Sequence, residues 1–185
     1  MSWSIDPTHA QITFSARHMM IMSVRGRFEK FHGTVEFDEN DFTRSSINVK
    51  IEAASINTDE AKRDGHLRSP DFLDAENYPT LDFTSKQVKA ITATRGQIVG
   101  DLTIRGVTRE VVLDVEYLGQ SKSPWGTLSA GFSAQTKINR KDWGLEWNVA
   151  LETGGVLVSD EVTIHIDVEL VKQAESETEA EAVAA

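Results

Sequence analysis

The stretch "TLSAGFSAQTKI", Thr127–Ile138, decides how this chain folds. Leu128, Ala130, Phe132, Ala134, Thr136 and Ile138 fall on one phase of a two-residue period, and Ser129, Ser133, Gln135 and Lys137 on the other. Successive side chains of a strand point to opposite faces, so the segment reads as a strand with one dry and one wet face. The same count works outward in both directions. "VTIHIDVEL" (162–170) sets Val162, Ile164, Ile166, Val168 and Leu170 against Thr163, His165, Asp167 and Glu169. "VVLDVEY" (111–117), "ITFSARH" (12–18) and "SINVKIEA" (46–53) alternate likewise, with shorter versions at Val35/Phe37, Leu81/Phe83 and Ile98/Leu102/Ile104. One-sided alternation is the pattern of antiparallel sheet.

Turn residues stand where hairpins need them: Gly106 in "IRGVTRE", Gly144 after "NRKDW", and Gly154–Gly155 before the last strand. Eight or so strands with one apolar face make a sandwich or a closed barrel. Closure removes exposed edges and favours the barrel. One segment breaks the period. From Asn57, "NTDEAKRDGHL" offers a cap at Asn57 and Glu60 three residues on, with Gly65 and Pro70 to end it. That predicts a short helix around 58–68 and a long excursion through Pro79.

The 185 residues fit one domain with a net charge of -10, which argues against nucleic acid and anionic membrane as default partners. "QAESETEAEAVAA", residues 173–185, predicts an acidic disordered tail behind a folded domain at 1–172. No cysteine is present, so disulfides and thiol chemistry are excluded. "MSWSIDPTHA" has no basic n-region followed by an apolar run, which predicts a cytoplasmic protein, or a periplasmic one if a leader has been removed. No apolar run approaches the roughly 18 residues of a membrane span.

Four stretches in this order carry a resemblance: "HAQITFSARHMMIMSVRGRFEKFHGTVEFD", "ASINTDEAKRDGHLRSPDFLDAENYPTLDFTS", "GDLTIRGVTREVVLDVEY" and "INRKDWGLEW" with "SDEVTIHIDVEL". Together they make the chain similar, from about Trp3 to Val171, to the YceI-like polyisoprenoid-binding family. The resemblance implies an all-β fold, an extended eight-stranded antiparallel lipocalin-like β-barrel. Its long apolar tunnel would hold an isoprenoid or another amphiphilic lipid as ligand, without a cofactor.

The residues themselves fit that expectation. An eight-stranded barrel either fills with side chains or keeps one ligand cavity. Ala16, Ala53, Ala130 and Ala134 on dry faces leave room that Leu or Phe would close. The expected tunnel lining takes Phe14, Ala16, His18 and Met20 from the first strand and its turn, then Phe28, Phe37, Val49 and Ile51. Phe83, Ile104 and Leu113 follow, and the last third of the chain adds Ala130, Phe132, Ala134, Trp147 and Ile164. Each buried methylene contributes about 0.8 kcal/mol, so a long hydrocarbon needs no catalytic group to bind.

Arg63, His66 and Arg68, with Arg27, are candidate head-group contacts, because guanidinium forks match phosphate oxygens. The competing reading is a corner held by its own ion pairs. Met19, Met20 and Met22 read either as a pliable lid or as an irregular core plug. Five histidines show no H-x-H, H-x3-H or HExxH spacing, so no metal site is expected. There is no G-x-S-x-G elbow and no phosphate loop, and no catalytic residue is assigned. Two alternatives remain: an enzyme on an isoprenoid or quinone-like substrate using the "RDGHL" corner, and a filled barrel that serves as an interaction domain. The sequence also allows a homodimer.

Overall fold

The structure, a computed structural model, describes residues 2–173. The acidic tail expected at 173–185 lies, from residue 174 on, outside the described residues. Among the described residues the chain forms ten strands and one α-helix. These are β1 (Trp3–His18), β2 (Met22–Phe28), β3 (Phe31–Glu36), β4 (Ser46–Glu52), β5 (Ile56–Asn57), α1 (Ala61–Arg68), β6 (Thr80–Ala90), β7 (Arg95–Ile104), β8 (Val107–Lys122), β9 (Leu128–Asn139) and β10 (Val158–Lys172). All pairings are antiparallel: β1 pairs with β2 and β3, β2 with β5, β3 with β4, β4 with β6, and β6 through β10 follow in chain order.

Ten segments make eight staves. β2 continues into β3 past Glu29 and Lys30, and β4 into β5 past a 3-10 turn at Ala53–Ser55. The two interruptions face each other and satisfy one another: Glu29 N–H donates to Ser55 O and Glu52 N–H to Lys30 O. β1 then pairs with β10 from Trp3↔Lys172 to His18↔Val158, which shuts the ring. No edge of the eight-stave ring is left to template another chain.

The dry faces meet inside. Ile12, Ile51, Leu81, Phe83, Ile98, Leu102, Val111 and Leu113 are buried in one cluster, each contributing about 1.5–3 kcal/mol. Trp3, Ala130 and Leu170 form a second cluster near the chain-terminal end, backed by Phe37, Tyr117, Leu128 and Phe132. Phe37 is the hub there, with ring centroids 5.4 Å from Trp3, 5.1 Å from Phe132 and 5.6 Å from Phe42.

Helix α1 caps the opposite end. Its N-cap is Glu60, not Asn57: the Glu60 carboxylate accepts from Lys62 N–H and Arg63 N–H. The cap moves because Asp59 sits at φ 61°, outside the helical region, and Asn57 Oδ1 is taken by Asp59 N–H. No helix among the described residues is long and apolar enough to cross a membrane.

Candidate functional site

The barrel encloses a cavity of about 340 Å³ with an almost wholly apolar wall. On β1 alone the lining runs from Ile5 to Ala16, and at ordinary barrel strand tilt the space follows the barrel axis for roughly 25–30 Å. Its contributors are the inward phases of the alternating strands. Phe14, Ala16, Phe28, Phe37, Val49 and Ile51 line it, as do Phe83, Ile104, Leu113, Phe132, Ala134 and Ile164. The structure brings these twelve together around one space.

Four others expected there lie elsewhere. Ala130 has the right phase but no exposure, packed with Trp3 and Leu170. His18 is half-buried at the last position of β1, where the barrel wall ends. Met20 is exposed on the following turn at φ 65°, a conformation that breaks the alternation which placed it inward. Trp147 stands outside the strands and packs on the cap, its ring 4.5 Å from His66 and 5.5 Å from Phe72.

The wall also has members that the expected lining left out. Phe31, Ile98, Val115 and Ile166 share the phase of residues already named and were legible by the same count. Phe42, Phe72 and Leu73 come from a 3-10 turn and the excursion after α1, where no period exists to read.

The cap end is built from the signature motifs. Trp143 is 3% exposed, and its indole N–H donates to Leu102 O at 3.0 Å. Arg140, 5% exposed, spends its guanidinium on the carbonyls of Leu145, Trp147, Val158 and Ser159. Burial lowers its pKa from the ordinary guanidinium value, and Asp160 at 3.7 Å opposes that shift. Arg140 therefore touches the cavity as a clasp for the segment 145–159. Gly106, at φ 73° in the β7–β8 turn, lies against the Tyr78 ring, where a Cβ would collide.

The charged run between Arg63 and Asp71 is also a clasp. Buried Asp64 accepts from Thr58 N–H and Thr58 O–H at 2.8 and 2.5 Å. Arg63 donates to Thr58 Oγ1 and Thr58 O, and Arg68 to Ala54 O and Ile56 O. His66 Nε2 donates to Asp71 at 2.8 Å, with its ring edge-on to Phe72 and Trp147. Arg27 pairs with Glu29 and Asp59, both at 3.2 Å, on the outer face. The four residues named as head-group contacts thus have protein partners: Arg63 and Arg68 tie α1 back to the β5 segment, and His66 ties it to the excursion that follows.

One group among the described residues places three ligand atoms within 4.8 Å of one another: Asp6, His9 and Glu169. It sits outside the barrel, at the register shift of β1 between Ile5 and Ala10. His9 Nδ1 donates to Asp6 at 2.8 Å, and Thr8 N–H and O–H donate to the other Asp6 oxygen. The bond to His9, then those to Thr8, pull the Asp6 carboxyl down to about 2 from the ordinary 3.8. The same bond raises the His9 imidazole above its usual 6.5.

Residues 3–170 match the YceI-like domain family. A UPF0312 protein of Staphylococcus aureus strain N315 is 37% identical over 169 residues, covering 91% of this chain and 96% of that protein. The crystal structure of a Campylobacter jejuni YceI protein superposes with a TM-score of 0.74 at 34% identity, over 85% of this chain and 90% of that one. A polyisoprenoid binding domain from Saccharophagus degradans gives a TM-score of 0.63 at 16% identity, over 92% and 98% of the two chains. At that identity the likeness is one of fold.

Proposed function

The chain belongs to the YceI-like domain family, and from that premise we propose that its barrel binds a long-chain isoprenoid or similar amphiphile, for transport, storage or sequestration. The observation that carries the reading is the shape and chemistry of the cavity: elongated, almost wholly apolar, and about 340 Å³ in volume. Ligand cavities typically span ~300–1,000 Å³ and are mostly apolar with a few polar anchors. A hydrocarbon gains transfer and dispersion energy along such a wall and asks nothing of it chemically. The fold likeness to the Saccharophagus polyisoprenoid binding domain supports the same ligand class.

Binding without catalysis is the reading the wall favours. The buried ionic groups at the capped end, Arg140, Asp64 and Asp74, are committed to backbone carbonyls, to Thr58 and to Asn77. Arg63, His66 and Arg68 then serve the ligand indirectly, by keeping the capped end in place. The test is native mass spectrometry of the purified protein, followed by extraction and identification of any bound lipid. One apolar chain per barrel is the expected result. A barrel that arrives empty and takes up no added polyprenol or fatty acid overturns the proposal.

A further inference from the structure

The turn between β1 and β2 presents four large apolar side chains in a row to solvent. Met19 is 44% exposed, Met20 56%, Ile21 71% and Met22 65%, and Val149 beside them is 47% exposed. The tip rests on the segment before β10, through Met19 N–H to Leu157 O and the Met20 side chain over Gly155. Neither the cavity nor the cap uses these side chains.

The backbone makes their presence less ordinary still. Met19 and Met20 both hold positive φ, 51° and 65°, and Ile21 N–H closes the turn on His18 O. Two successive positive φ values are the geometry of a type I′ turn, which favours Asn-Gly. Methionine is a costly choice there for the turn alone. Its flexible, unbranched side chain suits a disordered apolar medium.

Charge completes the pattern. Arg17 and Arg25 lie on the outer face of the same hairpin, paired in register with Ser23 and Ser15. Among the described residues neither has a carboxylate within salt-bridge distance. The adjoining segment 148–157 contains one carboxylate, Glu152. The two arginines stand two to four positions behind the tip, roughly 7–13 Å at strand spacing. An apolar face resting in a bilayer surface goes about 5–10 Å deep, which brings guanidinium groups to the level of the lipid phosphates.

We propose that the β1–β2 tip is a membrane-docking element, inserting Met19–Met22 into the surface of a bilayer that contains anionic phospholipid. A second copy of the chain fits less well. The tip is convex, and five partly exposed side chains offer on the order of 400–500 Å², about half the per-partner area of a standard interface. The overall charge of -10 does not forbid docking, because repulsion beyond about 10 Å is screened at moderate salt while the tip is in contact. Ala16 and Val158, which line the cavity, lie within three positions of the tip or pair beside it, so docking sets one end of the tunnel against the bilayer. The docking itself stands whether or not the tunnel is loaded.

The test is sedimentation of the full chain with phosphatidylcholine vesicles, with and without phosphatidylglycerol. Binding is expected only with the anionic lipid and should weaken as salt rises. Ile21→Glu with Met22→Glu should lower partitioning by ~10-fold or more. Met19→Asn with Met20→Gly should lower it too while raising the unfolding temperature, a pairing that mere misfolding does not produce. Trp125→Glu, an 89% exposed position at the opposite end, should leave partitioning unchanged. Absence of vesicle binding, binding indifferent to the tip variants, or loss with Trp125→Glu overturns the proposal. So does concentration-dependent self-association that the tip variants abolish without any vesicle binding.

Discussion

Asp6 and His9 illustrate how a single residue pair acquires a pH window. The imidazole is raised by its bond to Asp6, so the stabilisation it gives is complete below its ordinary 6.5 and fades as pH climbs through the raised value. The carboxyl is held down to about 2 by His9 and Thr8. Its share is present above the ordinary 3.8 and is lost as pH falls toward 2. The pair therefore supports the β1 register shift most between about pH 4 and 6.5. In Asp6→Asn, proton NMR of the His9 ring should show its titration returning to the ordinary imidazole range. A His9 titration unmoved by that change would dissolve the coupling. At the same scale, Arg140 was only a letter in "INRKDWGL", and its burial against four carbonyls had no trace in composition or period. Bonds of that kind join residues whose spacing in sequence follows no rule.

Within β9 two alanines four residues apart behave differently, although alternation treats them as equals. Ala134 faces the cavity, whereas Ala130 sits with no exposure beneath Trp3 and Leu170. Ala134→Phe should occupy lumen and cut lipid stoichiometry, at a smaller cost in stability than the same change at Ala130, because the ring enters open space. Ala130→Phe should instead overpack the terminal cluster and cost about 1–3 kcal/mol, with lipid uptake per folded molecule unchanged. Urea melts and native mass spectra on both variants separate the two outcomes, and equal behaviour would refute the assignment of faces. The contrast marks how far a period can be read. Phase tells inside from outside along a strand, which is why the all-β class and twelve wall residues were legible. Depth along the barrel axis has no phase, so Ala130 could not be told from Ala134. Where a strand ends the phase ends too: His18 holds the last position of β1, after a register shift, and Met20 was projected past it. Trp147, Phe42 and Phe72 belong to non-periodic segments whose places are fixed by packing alone.

At the scale of the molecule, closure by β1 on β10 places most of the apolar surface around a space that side chains do not fill. Such a barrel forgoes dispersion contacts that an occupant restores. Removing the lipid should therefore lower the melting temperature, and adding it back at ~100 times its Kd should recover about 2.7 kcal/mol of stability. A melting temperature indifferent to extraction and reloading would mean that the interior supports itself. Alternation left sandwich and barrel both open and the economy of sheet edges leaned to the barrel; it was the family resemblance that implied closure. The joining of ten segments into eight staves was not legible, because Glu29–Lys30 and Ala53–Ser55 compensate each other only once they are side by side.

The seam where the first stave meets the last has a further consequence. Trp3 is paired with Lys172, and Gln173 N–H donates to Ser2 O, so positions 2 and 173 are hydrogen-bonded neighbours. Around the ring, that junction is one hairpin missing its loop. A short peptide bridging it, with new ends cut at the exposed β8–β9 bend beside Trp125, should yield a circularly permuted barrel with the same spectrum and the same cargo. The order in which the staves are written along the chain would then prove a matter of genetics, and the ring itself the unit that folds.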